Sequence, residues 1–588
     1  VKKTAVCARS GLLYQLAAGL LFIAVLGLVR SNVESGMNDD WSFIRTVQVL
    51  AETGHLQYNG WSAPLIGFQA YWAALFVKLF GFSFLAVRAS SWVITLLGIP
   101  VLWRLLRSVE LSETQAFFGL LAFLLSPLNL PNLATFMTDM PAFFLFSASL
   151  LSAIKAWNSN SERSAMLWTC ASTLCGLLSG SVRQIYWLSG ITFLIVLAFT
   201  RLRSSRGRLL IAGCIAVTII CGIAASRWLA QQPYVPADST LHAWREDPWQ
   251  MIVQSSVLEM FRFIVGLAVL SVPLSLPFAV LQARRMGLGI HLLIACCAVA
   301  VTYWLAEPLP WLGNTITNYG VLMSGTVSVG DKPEVLSRAV VLLLGSLGIA
   351  SSAYALLWTM ARIRTFSLRR LKQGALCTGL GQFTALSLPF LLAYVVVLAI
   401  RAPAFGMYDR YLIPHLFVVI ALALGVYARQ SNTVSKLSWT AFGIFAIYSI
   451  ATTHDYFADA RAKLNAANSI LRAGHARATI IGGFEFDLLT EAERTGHINS
   501  GLVQFPKDAY HQTEDCDGED DVDKWWRSLA PSLKARYVVS LTPIQSLQPS
   551  EFSPVAYRRW LPPARSRVYI ERVPADQPPL TCAPGSGE

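Results

Sequence analysis

Charge is scarce in this chain. Of 588 residues only 14% are Asp, Glu, Lys or Arg, while 54% are hydrophobic. Ordinary soluble domains carry roughly a quarter charged residues, so a soluble enzyme is excluded as the main body. Other things are missing too. There is no Walker motif, no His-Glu-x-x-His and no Gly-x-Ser-x-Gly, which argues against nucleotide hydrolysis, zinc proteolysis and serine esterase chemistry. No internal repeat is visible. The ten cysteines show no metal-ligand spacing, and eight of them lie in or beside hydrophobic segments as small apolar residues. Only Cys516 and Cys582 fall in the polar C-terminal part, where an extracytoplasmic setting would let them form a disulfide. The net charge of +13 does not point to nucleic acid. The basic excess lies before Thr453, in short loops between apolar runs, and no aromatic-interleaved basic patch accompanies it.

What is abundant is length of apolar run. Segments near 11–29, 84–103, 115–131, 141–156, 165–181, 185–200, 209–229, 262–281, 289–306, 339–360, 379–400, 411–428 and 437–452 have the composition of bilayer-crossing helices. They predict an all-α polytopic membrane bundle of about thirteen spans. The first segment follows Lys2, Lys3 and Arg9 without a small-x-small cleavage site, which predicts an uncleaved anchor with a cytoplasmic N-terminus. The positive-inside rule agrees. Arg104/Arg107, Lys155/Arg163, Arg201 to Arg208, Arg284/Arg285, Arg362 to Lys372 and Arg429/Lys436 all fall in loops assigned to the cytoplasm. Pro64 to Phe80 is apolar, but counting it as a span would invert that register. It reads instead as an interfacial helix on the outer surface, bordered by Trp61, Tyr71, Trp72 and Lys78. Asp40 to Glu52 reads as a second surface helix.

These features divide the chain into a membrane domain, 1–453, with a long first outer loop, 30–83, and a small C-terminal α/β extracytoplasmic domain, 454–573. Residues 454–475 read as helix, 478–486 and 537–542 as strands, and the Pro/Gly-rich 574–588 as a disordered tail. The acidic run from Glu514 to Asp523 lacks the calcium-loop pattern and reads as a solvated loop.

Two acidic sites fall on the predicted outer face. Asp39 and Asp40 follow the first span, and Asp139 opens a later one in Thr138-Asp139-Met140-Pro141. A carboxylate at a membrane surface can take a proton from an acceptor hydroxyl, and separate acidic sites converging on one face of a bundle suggest a shared task. Each has a bland alternative as a helix cap or solvated loop residue. Arg88, Arg183 and Arg410 sit at outer span boundaries, where a guanidinium fork suits a phosphate; snorkelling is the alternative for Arg88 and Arg410, whereas Arg183 lies between two spans without a balancing acid nearby. His242, Arg245, Glu246 and Asp247 are further candidates to border an acceptor groove.

Several of these motifs resemble the bacterial GT-C glycosyltransferases of the family-39 type, relatives of the protein O-mannosyltransferases and the lipid A aminoarabinose transferases. The matching parts are Asn38-Asp39-Asp40-Trp41, Phe76-x3-Phe80-Gly81-Phe82 followed by Arg88, and Thr138-Asp139-Met140-Pro141. Asp409-Arg410-Tyr411-Leu412-x-Pro414, His454-Asp455-Tyr456-Phe457 and Gly482-Gly483-Phe484-Glu485-Phe486 complete the likeness. The resemblance implies a GT-C-like fold, a polyprenyl-phosphate-linked sugar donor and transfer on the extracytoplasmic face of a bacterial inner membrane, with the C-terminal domain periplasmic. The acceptor would be a glycan, a lipid or a protein. Asp39 falls where the family places its general base. Asp40 and Asp139 would orient the acceptor or a divalent cation, and Arg88, Arg183 and Arg410 would hold the donor phosphate. The family's acidic pair is usually Asp-Glu, here Asp-Asp. Its phosphate-binding Lys or His before the surface-helix proline is here Ala63. A transporter or flippase of a lipid-linked glycan intermediate is the rival reading, set back by the absence of repeats and of midplane charges. An oligosaccharyltransferase-like or ligase-like enzyme would need a diphosphate donor.

Overall fold

The computed structural model describes residues 2–61, 64–237, 240–307, 309–322, 327–364, 378–513, 522 and 524–582; side chains of residues 2–9, 241–242 and 362–364 are not described. Among them, ten helices are long and apolar enough to cross a bilayer, from Ser10–Val29 to Asp409–Ala428. The chain is a polytopic helical membrane bundle with a small C-terminal sheet. Of the three remaining expected spans, 115–131 is split between Glu113–Leu124 and Asn129–Ala134, neither long enough to cross by itself, 185–200 falls on Gln184–Thr200, and 437–452 on the first part of a helix that runs on from Lys436 to Arg472. The expected span 262–281 is broken at Ser271, between Trp249–Leu270 and Val272–Ala283. Pro273 at the start of the second helix has no N–H to continue the ladder.

Helix Asp139–Trp157 lies at the centre, with Phe143 and Phe146 wholly buried among Phe123, Phe417, Tyr186 and Phe390. Both surface helices form where expected, as Asp40–Thr53 and Gly67–Phe80. At 14 residues, the second is only about 21 Å long, too short to span. It turns Gln69, Ala70, Ala73 and Val77 inward and leaves Tyr71, Leu75, Leu79 and Phe80 exposed, as an interfacial helix should.

Two of the basic loops, 155–163 and 201–208, meet at the end of helix Asp139–Trp157 away from Asp139. Arg201 donates to the Ser159 carbonyl there, and Lys155 sits over the Trp168 ring. The C-terminal region covers the opposite end. Its sheet has the order β3 (Ile480–Ile481), β4 (Tyr537–Ser540), β7 (Arg565–Arg572) and β5 (Gln548–Pro549), with β6 (Val555–Arg558) paired to β7. The strand expected over 478–486 is cut to two residues, because the Gly482-Gly483 turn leads straight into helix Phe484–Thr495. Two further expectations change. The boundary at 453 falls inside the continuous helix Lys436–Arg472. Residues 574–582 are ordered, with Leu580 and Ala535 exchanging backbone hydrogen bonds of 2.9 and 3.0 Å. Cys582 is disulfide-bonded; Cys516, Ala63 and the acidic run apart from Val522 lie outside the described residues.

Candidate active site

Four of the six expected site residues meet at one end of the bundle. Asp39 lies in the turn before helix Asp40–Thr53, reached through Asn38 at φ +54°, a left-handed conformation that asparagine tolerates. One Asp39 carboxylate oxygen accepts from Arg410 Nη1 at 2.7 Å, and the other accepts from Trp61 Nε1 at 3.1 Å. Beside it, Asp139 Oδ1 is 2.9 Å from Arg183 Nη1, and Arg183 Nε donates to Thr138 Oγ1 at 2.9 Å. Arg410 lies within electrostatic reach of both Asp39 and Asp139. The carboxylates therefore share one end of the molecule and one set of cations.

The Asp409-Arg410-Tyr411 segment owes its shape to Asp409. That buried carboxylate accepts from the backbone N–H groups of Thr315 and Ile316, at 2.8 and 2.6 Å, which pins the short hairpin of β1 (Ile316–Thr317) and β2 (Gly320–Val321) beneath it. The next residue, Arg410, is thereby aimed at Asp39 and lies over the Tyr408 ring, while Arg183 lies over Tyr411. Two buried polar atoms here have no hydrogen-bond partner among the described residues: Arg410 Nε and Asp139 Oδ2. Orphaned polar atoms are uncommon in protein interiors, and these two, a donor and an acceptor, mark where a polar ligand would be satisfied.

Asp40 and Arg88 form a separate pair that faces the protein interior. Both are fully buried. Arg88 Nε meets Asp40 Oδ2 at 2.9 Å, and its Nη atoms donate to the carbonyls of Val33 and Ser35. Asp40 also accepts from the N–H groups of Met37 and Phe136. Burial pushes the Asp40 carboxyl above its ordinary range, and Arg88 and those N–H groups pull it back. These contacts explain why the expected phosphate-binding role does not suit Arg88: every nitrogen of its fork is already engaged.

A divalent cation does not fit the groove either. Asp39 and Asp139 are each matched to an arginine, the opposite of the all-oxygen shell such ions require. Among the described residues no group of three or more His, Cys, Asp or Glu side chains is placed to hold a metal. Arg245, Glu246 and Asp247 are exposed in and just after helix Thr240–Glu246, and the His242 side chain lies outside the described residues.

The residue composition alone did not reveal the aromatic wall. Trp61, expected only as a membrane-boundary residue, is the hydrogen-bond donor to Asp39 and packs against Phe484 and Trp525 of the C-terminal region, with ring centroids 4.9 and 6.2 Å away. Glu485 Oε1 accepts from the Asn38 N–H at 3.1 Å. Gly36 makes that approach feasible, since a Cβ there would lie 2.5 Å from that of Trp41 and 3.1 Å from that of Glu485. The Gly483-Phe484-Glu485 motif is thus a brace for the Asp39 turn.

No curated protein matches the chain. Among solved structures it is similar to that of ArnT from Cupriavidus metallidurans bound to undecaprenyl phosphate, at 15% identity over 77% of this chain and 79% of that one, with a TM-score of 0.37. The apo form of the same protein is similar at 15% identity, over 77% and 80%, with a TM-score of 0.35. The Archaeoglobus fulgidus oligosaccharyltransferase, in complex with Zn and sulfate, is similar at 13% identity over 90% of this chain and 67% of that one, with a TM-score of 0.40. The stretch that carries Arg88, Asp139 and Arg183, residues 64–224, matches the family described as Dolichyl-phosphate-mannose-protein mannosyltransferase.

Proposed function

We propose that the protein is a membrane glycosyltransferase that moves a sugar from a polyprenyl-phosphate-linked donor to an acceptor hydroxyl on the extracytoplasmic face, with Asp39 as general base. The observation that carries this reading is the pairing of Asp39 with Arg410 beside a second acid–arginine pair, with one donor atom, Arg410 Nε, and one acceptor atom, Asp139 Oδ2, left unsatisfied among the described residues. The family match over 64–224 supports the reaction class.

In this mechanism Arg410 and Arg183 receive the donor phosphate. As the phosphate takes up Arg410, the Asp39 oxygen that Arg410 held is freed to receive a proton. The acceptor oxygen then attacks the anomeric carbon. Its proton goes to Asp39, and the bond from that carbon to the phosphate oxygen breaks. The electron pair leaves with polyprenyl phosphate, whose new charge the two guanidiniums stabilise. Trp61 holds Asp39 in the orientation that receives the proton.

The test is a reconstituted assay with a polyprenyl-phospho-sugar, scoring sugar transfer separately from lipid translocation. Transfer without translocation is expected; translocation alone would assign the groove to a flippase, and strict dependence on a diphosphate donor would overturn the donor class. Trp61→Phe keeps the ring and removes the N–H. It is expected to lower kcat by about tenfold, the order of one lost hydrogen bond to a charged group, with KM little changed in steady-state kinetics.

A further inference from the structure

A second site lies in the C-terminal region. A cleft of about 910 Å3 opens between the segment at Asp331–Pro333 and the β6–β7 ribbon, within the size range of small-molecule sites. The register pairs Arg558 with Arg565 and Ala556 with Arg567. Opposed residues share a face of the ladder and alternate residues along a strand return to it, so the three arginines stand together on one face. All three are exposed and none is ion-paired to a described residue. Like charges directly opposite each other weaken a strand pair, so this arrangement costs stability where nothing anionic adjoins it.

The ribbon is held firmly against the helix that runs from Lys436 to Arg472. Tyr557 donates to Asp459 at 3.1 Å, Asp455 accepts from the N–H groups of Trp560 and Leu561, and His454 stacks on Trp560 with centroids 4.1 Å apart. A rigid platform therefore presents the arginines. The cleft also receives Lys332, which is 9% exposed and has no carboxylate at ion-pair distance among the described residues. Its segment is fixed by the Asp331 N–H to Thr542 Oγ1 at 3.0 Å and the Leu541 N–H to the Val329 carbonyl at 2.9 Å. Four cations thus line the cleft with one exposed carboxylate, Asp331, and with the hydroxyl-bearing Thr542, Tyr557, Ser566 and Tyr569.

We propose that this cleft binds an anionic glycan, one carrying phosphate or carboxylate groups on its sugar rings. Paired guanidiniums suit those groups, and the interleaved hydroxyls and tyrosines suit the rings between them. Lys332 lies within electrostatic reach of Glu485, and Glu485 holds the Asn38 N–H beside Asp39. In the transferase reading, on which this last assignment rests, the bound glycan is the acceptor. Burial, with Lys463 and Arg559 nearby, lowers the Lys332 pKa to about 8 against the opposing pull of Asp459 and Glu485. Anion affinity should therefore be full below that pH and fall as pH rises through it.

The full-length protein in nanodiscs would be titrated calorimetrically with trigalacturonic acid, a phosphorylated trisaccharide, maltotriose and inorganic pyrophosphate. At least one anionic trisaccharide should bind about tenfold tighter than maltotriose or pyrophosphate, and added salt should weaken it. Arg565→Ala/Arg567→Ala should lose about tenfold in that affinity, with Arg472→Ala, on an exposed site elsewhere, unchanged. Which trisaccharide binds tells carboxylate from phosphate. Equal binding of maltotriose, tightest binding of pyrophosphate, no binding, or an unaffected double variant would each overturn the proposal; the wild-type salt titration needs no variant to fold. Binding that fails in a protein still transferring sugar removes this site and leaves the transferase reading. Binding that persists while Asp39→Asn retains full transfer does the reverse.

Discussion

Replacing Asp39 with Asn is expected to lower sugar transfer by roughly two to four orders of magnitude, the usual cost of removing a general base, while the protein still folds and still binds donor. The substitution keeps the side-chain shape and the oxygen that accepts from Trp61. It removes the site for the acceptor's proton and leaves Arg410 without its counter-charge, so donor affinity should hold or rise while kcat collapses. Single-turnover rates beside donor binding would separate the two. Loss of donor binding with an unchanged chemical step would refute the base assignment and make Asp39 a tether for Arg410. Arg410→Lys is the informative companion. Lysine keeps the charge but not the fork, and should weaken the phosphate contact more than it disturbs the fold.

The largest effect on stability is expected at a residue that touches no substrate. Arg88→Leu strands the Asp40 carboxylate in a fully buried position and should cost about 3–5 kcal/mol, the penalty for breaking one partner of a buried ion pair. The carbonyls of Val33 and Ser35 would lose their donors too, and those residues carry the loop leading into Asp39. Arg88→Leu/Asp40→Leu should recover much of the loss, since it removes both charges. Thermal unfolding in detergent would report the difference. If the single variant were as stable as wild type, the pair would not be what holds the loop at Val33 and Ser35.

The site residues most legible from sequence were those whose position alone constrains them. Asp39, Asp139, Arg183 and Arg410 each sit where an apolar run ends, and the register of the runs places those ends on one side. Asp40 and Arg88 have the same kind of position but another task. Whether a charge faces a groove or a neighbouring charge depends on helix rotation, which span boundaries do not carry. Trp61 was visible only as an aromatic near a membrane surface, because its partner lies 22 residues upstream across a turn. The composition shift at Thr453 is real, yet the helix does not stop there: Ala458, Ala460, Ala462, Ala466 and Ala467 carry it to Arg472, as good helix formers do. The ribbon arginines were hidden because Arg565-Ser566-Arg567 gains a shared face only once it is known to be extended.

That uninterrupted helix has a mechanical consequence. Thirty-seven residues from Lys436 to Arg472 make a strut about 55 Å long, one end sunk among the membrane helices and the other inside the roof above Asp39. A mast of this kind does not bend at midlength without breaking hydrogen bonds, so the roof turns with the bundle as one body. In the proposed transferase, both substrates must then reach Asp39 from the flanks of that roof.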